Sequence, residues 1–237
     1  NTTSCKVNSR KSHCYIKATY STLFVGSNKK MKAIGTIIFL SLFLTSFGQK
    51  EAVPFKVEVR ETGTWKMIFE LVDTNGEVIK TLDTSRYASI QLNNQDYGYF
   101  AVFIMADTQG MFAIDVDENI LFEVFNQEVG VPYPDELMEG KIRIVDNDDR
   151  VGFANEFGQV VIEPQFEVAT SFNKGKAIIG RECRKIPWHN DDDEKGDCTH
   201  YSIECKEYGY IDSKGDIKKI GQYTFDQIQE EIEWEIK

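Results

Sequence analysis

Between positions 183 and 205 the chain gathers most of its reactive side chains: Cys183, Trp188, His189, Asp191, Asp192, Asp193, Cys198, His200 and Cys205. Three cysteines and a histidine invite a zinc set, but structural zinc ligands come in close pairs. Only Cys198 and His200 lie that close, so no metal is expected. In an exported protein cysteines pair as disulfides, and three leave one over. Spacing alone leaves every pairing of the three open. The acidic run also fails as an EF-hand. With Asp191 and Asp193 as first and third ligands, Lys195 takes the fifth place and Ser202 the twelfth. The site needs oxygen at the fifth and a bidentate Glu at the twelfth. A solvated charged loop is the default for such a run. Trp188, His189, Asp191, Asp192 and Asp193 are therefore read as a candidate contact loop, since exposed aromatics anchor interfaces. The competing reading of Trp188 is packing back onto its own hairpin.

Catalytic signatures are scarce. No Gly-x-Ser-x-Gly, His-Glu-x-x-His or phosphate-binding glycine loop occurs. Beyond position 48 the histidines are His189 and His200, both in or beside the acidic loop. Acids are plentiful, so a secreted hydrolase using a carboxylate pair, for example on glycans, stands as the alternative reading. No pair is marked, so no catalytic residue and no cofactor is assigned.

The N-terminal region carries an address. Lys29, Lys30 and Lys32 precede the apolar run Ala33–Leu44, and the small residues Ser46 and Gly48 stand just before Gln49. That is the three-part pattern of a secretory signal peptide over 31–48, cleaved after Gly48. The run is shorter than the roughly 20 residues of a membrane span. Residues 1–30 lack any acid and read as sequence upstream of a start at Met31, or as a transit-type segment. The body expected is 49–237, with no transmembrane span. It holds all 38 acidic residues and 20 of the 27 basic ones, a net charge of −18. Such a surface repels nucleic acid and favours cationic partners.

The elements that must position these residues are strands. Phe55, Val57 and Val59 alternate with charged residues, and Trp65, Met67, Phe69 and Leu71 do the same. Turn signals follow at 74–76, 107–110, 146–149 and 213–215. Four stretches share one short design, centred on Asp73, Asp115, Asn155 and Asp212, at intervals of 42, 40 and 57 residues. Repetition on this scale implies a repeat array, each unit burying its apolar face against the next. The surplus of the last interval falls in Arg184–Glu204. The fold expected is all-β and antiparallel, with units around 65–110, 111–150, 151–207 and 208–237. Phe225, Ile228, Ile232 and Ile236 fit a helix while Ile232, Trp234 and Ile236 fit a strand, and a short capping helix is preferred.

Val151-Gly152-Phe153-Ala154-Asn155, Gly158, Val161-Ile162-Glu163-Pro164, Phe166-Glu167 and Phe172-Asn173-Lys174-Gly175-Lys176-Ala177 together resemble the unit of the bacterial WG-repeat proteins. Tyr208-Gly209-Tyr210-Ile211-Asp212, Gly215 and Phe225-Asp226 resemble the next unit. In earlier units Gly140-Lys141-Ile142 and Phe112-Ala113-Ile114-Asp115 fit, while Glu118 stands where a glycine belongs. Met111, Val151 and Tyr208 occupy the tryptophan slot, compatible with packing. The resemblance implies stacked β-hairpins in a secreted, periplasmic or cell-surface protein, meeting a protein or a glycan at the envelope. It also implies a register. Pairing the Ala of Gly-x-Ala with the Ile of the next aromatic-Gly-aromatic-Ile sets Ala177 opposite Ile211. An antiparallel pair keeps the sum of its position numbers constant, so Cys183 then faces Cys205. A Cys183–Cys205 bridge at the base of the inserted loop is the expectation, with Cys198 left over.

Overall fold

A computed structural model describes residues 53–63, 66–92, 98–128, 131–187 and 201–235. The chain divides at Gly48/Gln49, and all described residues lie in the second unit. The signal-peptide segment 31–48 and the contact loop Trp188, His189, Asp191, Asp192 and Asp193 lie outside the described residues, as do Cys198 and His200.

Fourteen strands and one short helix are described, and the strands run as antiparallel meanders. A three-stranded sheet joins β1 (Lys56–Thr62), β2 (Lys66–Val72) and β3 (Val78–Thr81). A seven-stranded sheet runs through β4 (Tyr87–Leu92), β5 (Ala101–Met105), β6 (Met111–Ile114), β7 (Ile120–Val124), β8 (Lys141–Val145), β9 (Val151–Asn155) and β10 (Val160–Phe166). The last sheet has four strands: β11 (Val168–Ala169), β12 (Lys176–Pro187), β13 (Tyr201–Asp212) and β14 (Ile217–Gly221). The helix α1 (Phe225–Ile232) follows, the preferred of the two readings that the spacing allowed.

The four repeat centres each end the middle strand of a triplet: β1-β2-β3, β5-β6-β7, β8-β9-β10 and β12-β13-β14. One side-chain oxygen of Asp73, Asp115, Asn155 or Asp212 accepts the backbone N–H groups two and four residues on, at 2.8–3.0 Å. An aspartate or asparagine suits this place because its short side chain caps its own turn. Asp146 makes the same pair of bonds to Asp148 and Arg150 in the β8–β9 loop. It is a fifth copy of the turn, standing outside the repeat interval.

The fourth turn residue takes a left-handed backbone in all five cases, with φ between 58° and 87°. Glycine supplies this in three of them. At the second repeat Glu118 does so instead, with φ 66°. Its carboxylate accepts the Tyr87 hydroxyl at 2.7 Å and meets Lys80 at 3.1 Å and Arg86 at 3.6 Å. Lys80 lies on β3 and Tyr87 on β4, so the side chain that strains its own turn also ties two sheets together. Burial and the Glu118 carboxylate push the buried Tyr87 hydroxyl far above its ordinary pKa, which keeps it a donor.

Two apolar clusters join the sheets, and a third lies within the second sheet. Phe55, Val57, Phe69 and Leu71 of the first sheet pack on Tyr87, Ala101, Phe103 and Ile114 of the second. Val59 and Met67, expected on the same buried face, are about half exposed (46% and 48%). The second sheet covers only the other end of that hairpin. Val102, Ala113, Phe122, Val124, Ile142 and Ile144 form a core on the second sheet's opposite face. Central strands buried on both sides in this way read as continuous apolar runs, here Ala101-Val102-Phe103 and Val151-Gly152-Phe153-Ala154. Phe153, Ile162, Phe166 and Phe172 then meet Ala177, Ile179 and Ile211. Met111 and Val151, in the tryptophan slot, are buried, and Tyr208 stacks edge-on against Phe225.

Helix α1 seals the far face of the third sheet. Ile228 and Ile232 pack on Ile178. Thr224 and Gln227 form a reciprocal capping box at its start. Asp226, placed by sequence in the aromatic-acid position, sits in the first helical turn, where the helix dipole favours an acid. Among the described residues no helix is long and apolar enough to cross a membrane.

Candidate functional site

Strands β12 and β13 reach well past their neighbours. β11 pairs only with Ile179 and Gly180, and β14 with Tyr208–Ile211. Among the described residues, 183–187 and 201–205 therefore pair only with each other. A two-stranded ribbon alone is marginal in water. A disulfide between Cys183 and Cys205 clasps its base, with Cα atoms 3.9 Å apart. The pairing register holds Ala177 opposite Ile211 and Cys183 opposite Cys205, without a slip between them. The expected bridge is thus formed, and by the register that implied it.

A carboxylate supports the clasp. Glu182 adopts a left-handed φ of 51°. Its N–H and that of Cys183 both donate to Glu167, at 3.1 and 2.9 Å. The Cys205 N–H donates to the Tyr208 hydroxyl at 3.0 Å. Glu167 is the acid of the Phe166-Glu167 pair, matched by sequence but given no role there. Its recurrence as an aromatic-acid pair was the available signal. A second acid does equivalent work nearby. Glu139 accepts the N–H groups of Lys174 and Gly175, at 2.6 and 2.8 Å, so one two-residue turn is docked on another 35 positions on.

The Cys183 N–H, helped by Glu182 and Arg150, holds the Glu167 carboxyl below its ordinary value of 4.5, against a smaller upward push from burial. A carboxyl lowered by folding adds stability above its unfolded pKa, and that stability fades as pH falls through the folded value. Urea midpoints are therefore expected to drop below about pH 4.5. Glu167→Gln should lose stability at pH 7 and show a flatter dependence below pH 5. An unchanged pH profile in that variant would contradict the role given to Glu167.

Beside the ribbon lies an open groove of about 1160 Å³. One wall is the end of β7 with residues 125–127 and 131–138. The other is made by Val168–Asn173, by Lys185, Tyr201 and Ile203 of the ribbon, and by Trp234 near the C-terminus. Asp135, 1% exposed, braces the first wall. It accepts both the Arg143 N–H at 2.7 Å and the Arg143 guanidinium at 2.5 Å. That guanidinium also donates to the Ala169 carbonyl at 3.2 Å and lies 4.2 Å over the Phe125 ring. Trp234 donates to the Ser171 carbonyl at 3.0 Å, fixing the C-terminal segment over the groove. Asn173 lines the groove while only 5% exposed, and its side-chain oxygen has no hydrogen-bond partner among the described residues. None of Asp135, Arg143, Asn173 and Trp234 was singled out as a site residue by sequence. They lie up to about a hundred positions apart and share no motif.

Chemically the groove offers aromatic faces and an acidic rim. Among the described residues no group of three His, Cys, Asp or Glu side chains is placed to hold a metal. The arrangement is that of an antiparallel β-repeat protein with a stapled, projecting ribbon. Residues 152–180, from Gly152 in β9 to Gly180 in β12, match the family model of the WG containing repeat. No curated protein shows a significant match to the chain.

Proposed function

We propose that this chain is an exported, non-catalytic binding or structural module of the bacterial envelope. Its contact face comprises the inserted loop 188–200, the β12–β13 ribbon below it, and the groove alongside. The observation that carries this reading is the ribbon itself. It departs from the repeat, pairs with no other described strand along 183–187 and 201–205, and is fastened by a disulfide. Its stem residues Lys185, Tyr201 and Ile203 line the groove, so the ribbon and the groove form a continuous surface. A repeat scaffold that presents one irregular loop is a common way to place a contact surface on a rigid base.

Four of the acids serve the scaffold. Asp73, Glu118, Glu167 and Asp212 are all held below their ordinary pKa values, by donors that belong to turns, sheet contacts and the clasp. A carboxylate-pair hydrolase needs one acid pushed up, so that it can donate a proton. Asp135, the buried carboxylate of the groove, is occupied by Arg143.

Photo-crosslinking residues placed at Tyr201 and Ile203 should give discrete adducts in envelope-bearing cells. The same residue at exposed Val78 on the far sheet should give none. Chain recovered outside the cytoplasm should begin at Gln49. Hydrolysis of an oligosaccharide panel that a single carboxylate substitution abolishes would overturn the non-catalytic reading.

A further inference from the structure

We propose that the outer edge of β13, residues 201–204, pairs antiparallel with the same edge of a second copy of this chain, about a two-fold axis through Ser202. The inference rests on the contact-face reading and names its partner.

Backbone direction defines the surface. Cys183 and Cys205 stand opposite each other, with Cα atoms 3.9 Å apart. Their N–H groups nevertheless go elsewhere, to Glu167 and to the Tyr208 hydroxyl. They form the closely spaced, non-hydrogen-bonded type of antiparallel pair, whose backbone groups point out of the ribbon. Alternate residues repeat that direction. Lys185 and Pro187 therefore face the β12 edge, and Tyr201 and Ile203 the β13 edge.

The two edges differ. On β12, Glu167 occupies the N–H groups of Glu182 and Cys183, and the left-handed φ of Glu182 interrupts the extended backbone. A lysine follows at 185, and Pro187 has no N–H to give. Those are the devices that keep an edge from pairing. Over Tyr201-Ser202-Ile203-Glu204, β13 has none of them. Among the described residues no strand pairs with its outer side there, since β14 stops opposite Tyr208. Ile203 is 42% exposed.

Register and charge point to a second copy. A two-fold axis at Ser202 sets Tyr201 opposite the partner's Ile203 twice, a pairing of aromatic with β-branched residue that stabilises sheets. Moving the axis to Ile203 would set Tyr201 against the partner's Cys205, whose N–H already belongs to Tyr208. The body carries −18 over 49–237, yet the ribbon stem does not share that charge. Residues 181–187 and 201–207 hold four cations (Arg181, Arg184, Lys185, Lys206) and three acids (Glu182, Glu204, Glu207), a net +1. Residues 188–200 hold five acids and one lysine, and an antiparallel pair directs these acidic inserts away from each other. Repulsion between exposed charges farther apart than about 8 Å is screened at physiological salt.

Sedimentation of the full chain should show a concentration-dependent dimer. Ile203→Pro removes an edge N–H without touching the β12–β13 ladder, and should weaken dimerisation about tenfold or more. Lys185→Pro does the same on the β12 edge and should leave the dimer unchanged. In a Cys198→Ser background, Ser202→Cys should oxidise to a covalent dimer bridged between the two introduced thiols. Partners of the non-hydrogen-bonded type lie about 4.5 Å apart at Cα, within disulfide reach. That crosslink decides the matter if Ile203→Pro does not fold, and its absence overturns the proposal. A dimer that Ile203→Pro leaves intact, or that Lys185→Pro weakens equally, overturns it as well. A chain that stays monomeric overturns this inference while leaving the contact-face reading standing. Failure of Tyr201 and Ile203 to crosslink to anything in cells would sink both.

Discussion

Gly209→Ala is expected to destabilise the protein by about 3 kcal/mol or more, at the upper end of overpacking changes. Gly209 stands in the middle of β13 and pairs with Ile220 on β14. A Cβ there would fall on the Lys219 carbonyl oxygen, with Ile220 Cα at 2.7 Å, and both are backbone atoms. Backbone cannot swing aside as a side-chain tip can, so β14 would have to leave the sheet. The equivalent Gly152 in β9 is as tight. Its Cβ would meet the Pro164 nitrogen at 2.5 Å and the Ile162 carbonyl oxygen at 2.6 Å. Neither glycine has a positive φ, so the demand is for space, imposed by a neighbouring strand that shifts register as it passes. Urea unfolding of Gly209→Ala and Gly152→Ala, with Gly63→Ala as control, measures this. Nothing lies within 4 Å of a Cβ at Gly63. Stability within 0.5 kcal/mol of the parent in both test variants would refute the close-approach account.

Reduction, or Cys183→Ser with Cys205→Ser, should lower stability by about 3 kcal/mol, the chain-entropy value for a loop of this length. For a body of this size that corresponds to a fall of about 6–12 °C in Tm. The sequence separation is 22 residues. The first structural consequence should appear in the ribbon. Among the described residues, 183–187 and 201–205 have no other strand to lean on, so hydrogen exchange should rise there first and reach the β13–β14 pair last. Gly180 belongs to the same assembly. A Cβ on it would lie 2.5 Å from the Cys205 sulfur, so Gly180→Ala should weaken the clasp while leaving both cysteines in place. Non-reducing peptide mapping gives the covalent answer directly. An intramolecular bridge that includes Cys198 would contradict the register.

Much of this architecture was legible before any coordinate. Asp73, Asp115, Asn155 and Asp212 announce their turns because the chemistry is local: one short side chain caps two N–H groups within four residues. The bridge was legible for a related reason. Antiparallel pairing has a constant register, so a motif match at Ala177 and Ile211 carries six residues outward to the cysteines. The C-terminal segment was ambiguous by period. It resolves as a helix because Ile228 and Ile232 find Ile178 beneath them and Thr224 caps the start. Asp146 shows the limit of pattern reading, since a turn identical in its bonding recurs where no repeat centre falls.

The sequence by itself determined the antiparallel strands, the repeat and the Cys183–Cys205 pair. Each depends on residues close in the chain or locked to one another by strand register. Only the tertiary structure decided that Gly152 and Gly209 face passing backbone, that Glu118 bridges two sheets and that Glu167 holds the ribbon's base. It alone brought Asp135, Arg143, Asn173 and Trp234 around one groove. The reason is physical. A groove wall is set by how sheets and the helix pack, and packing brings together positions that neither period nor motif connects in sequence.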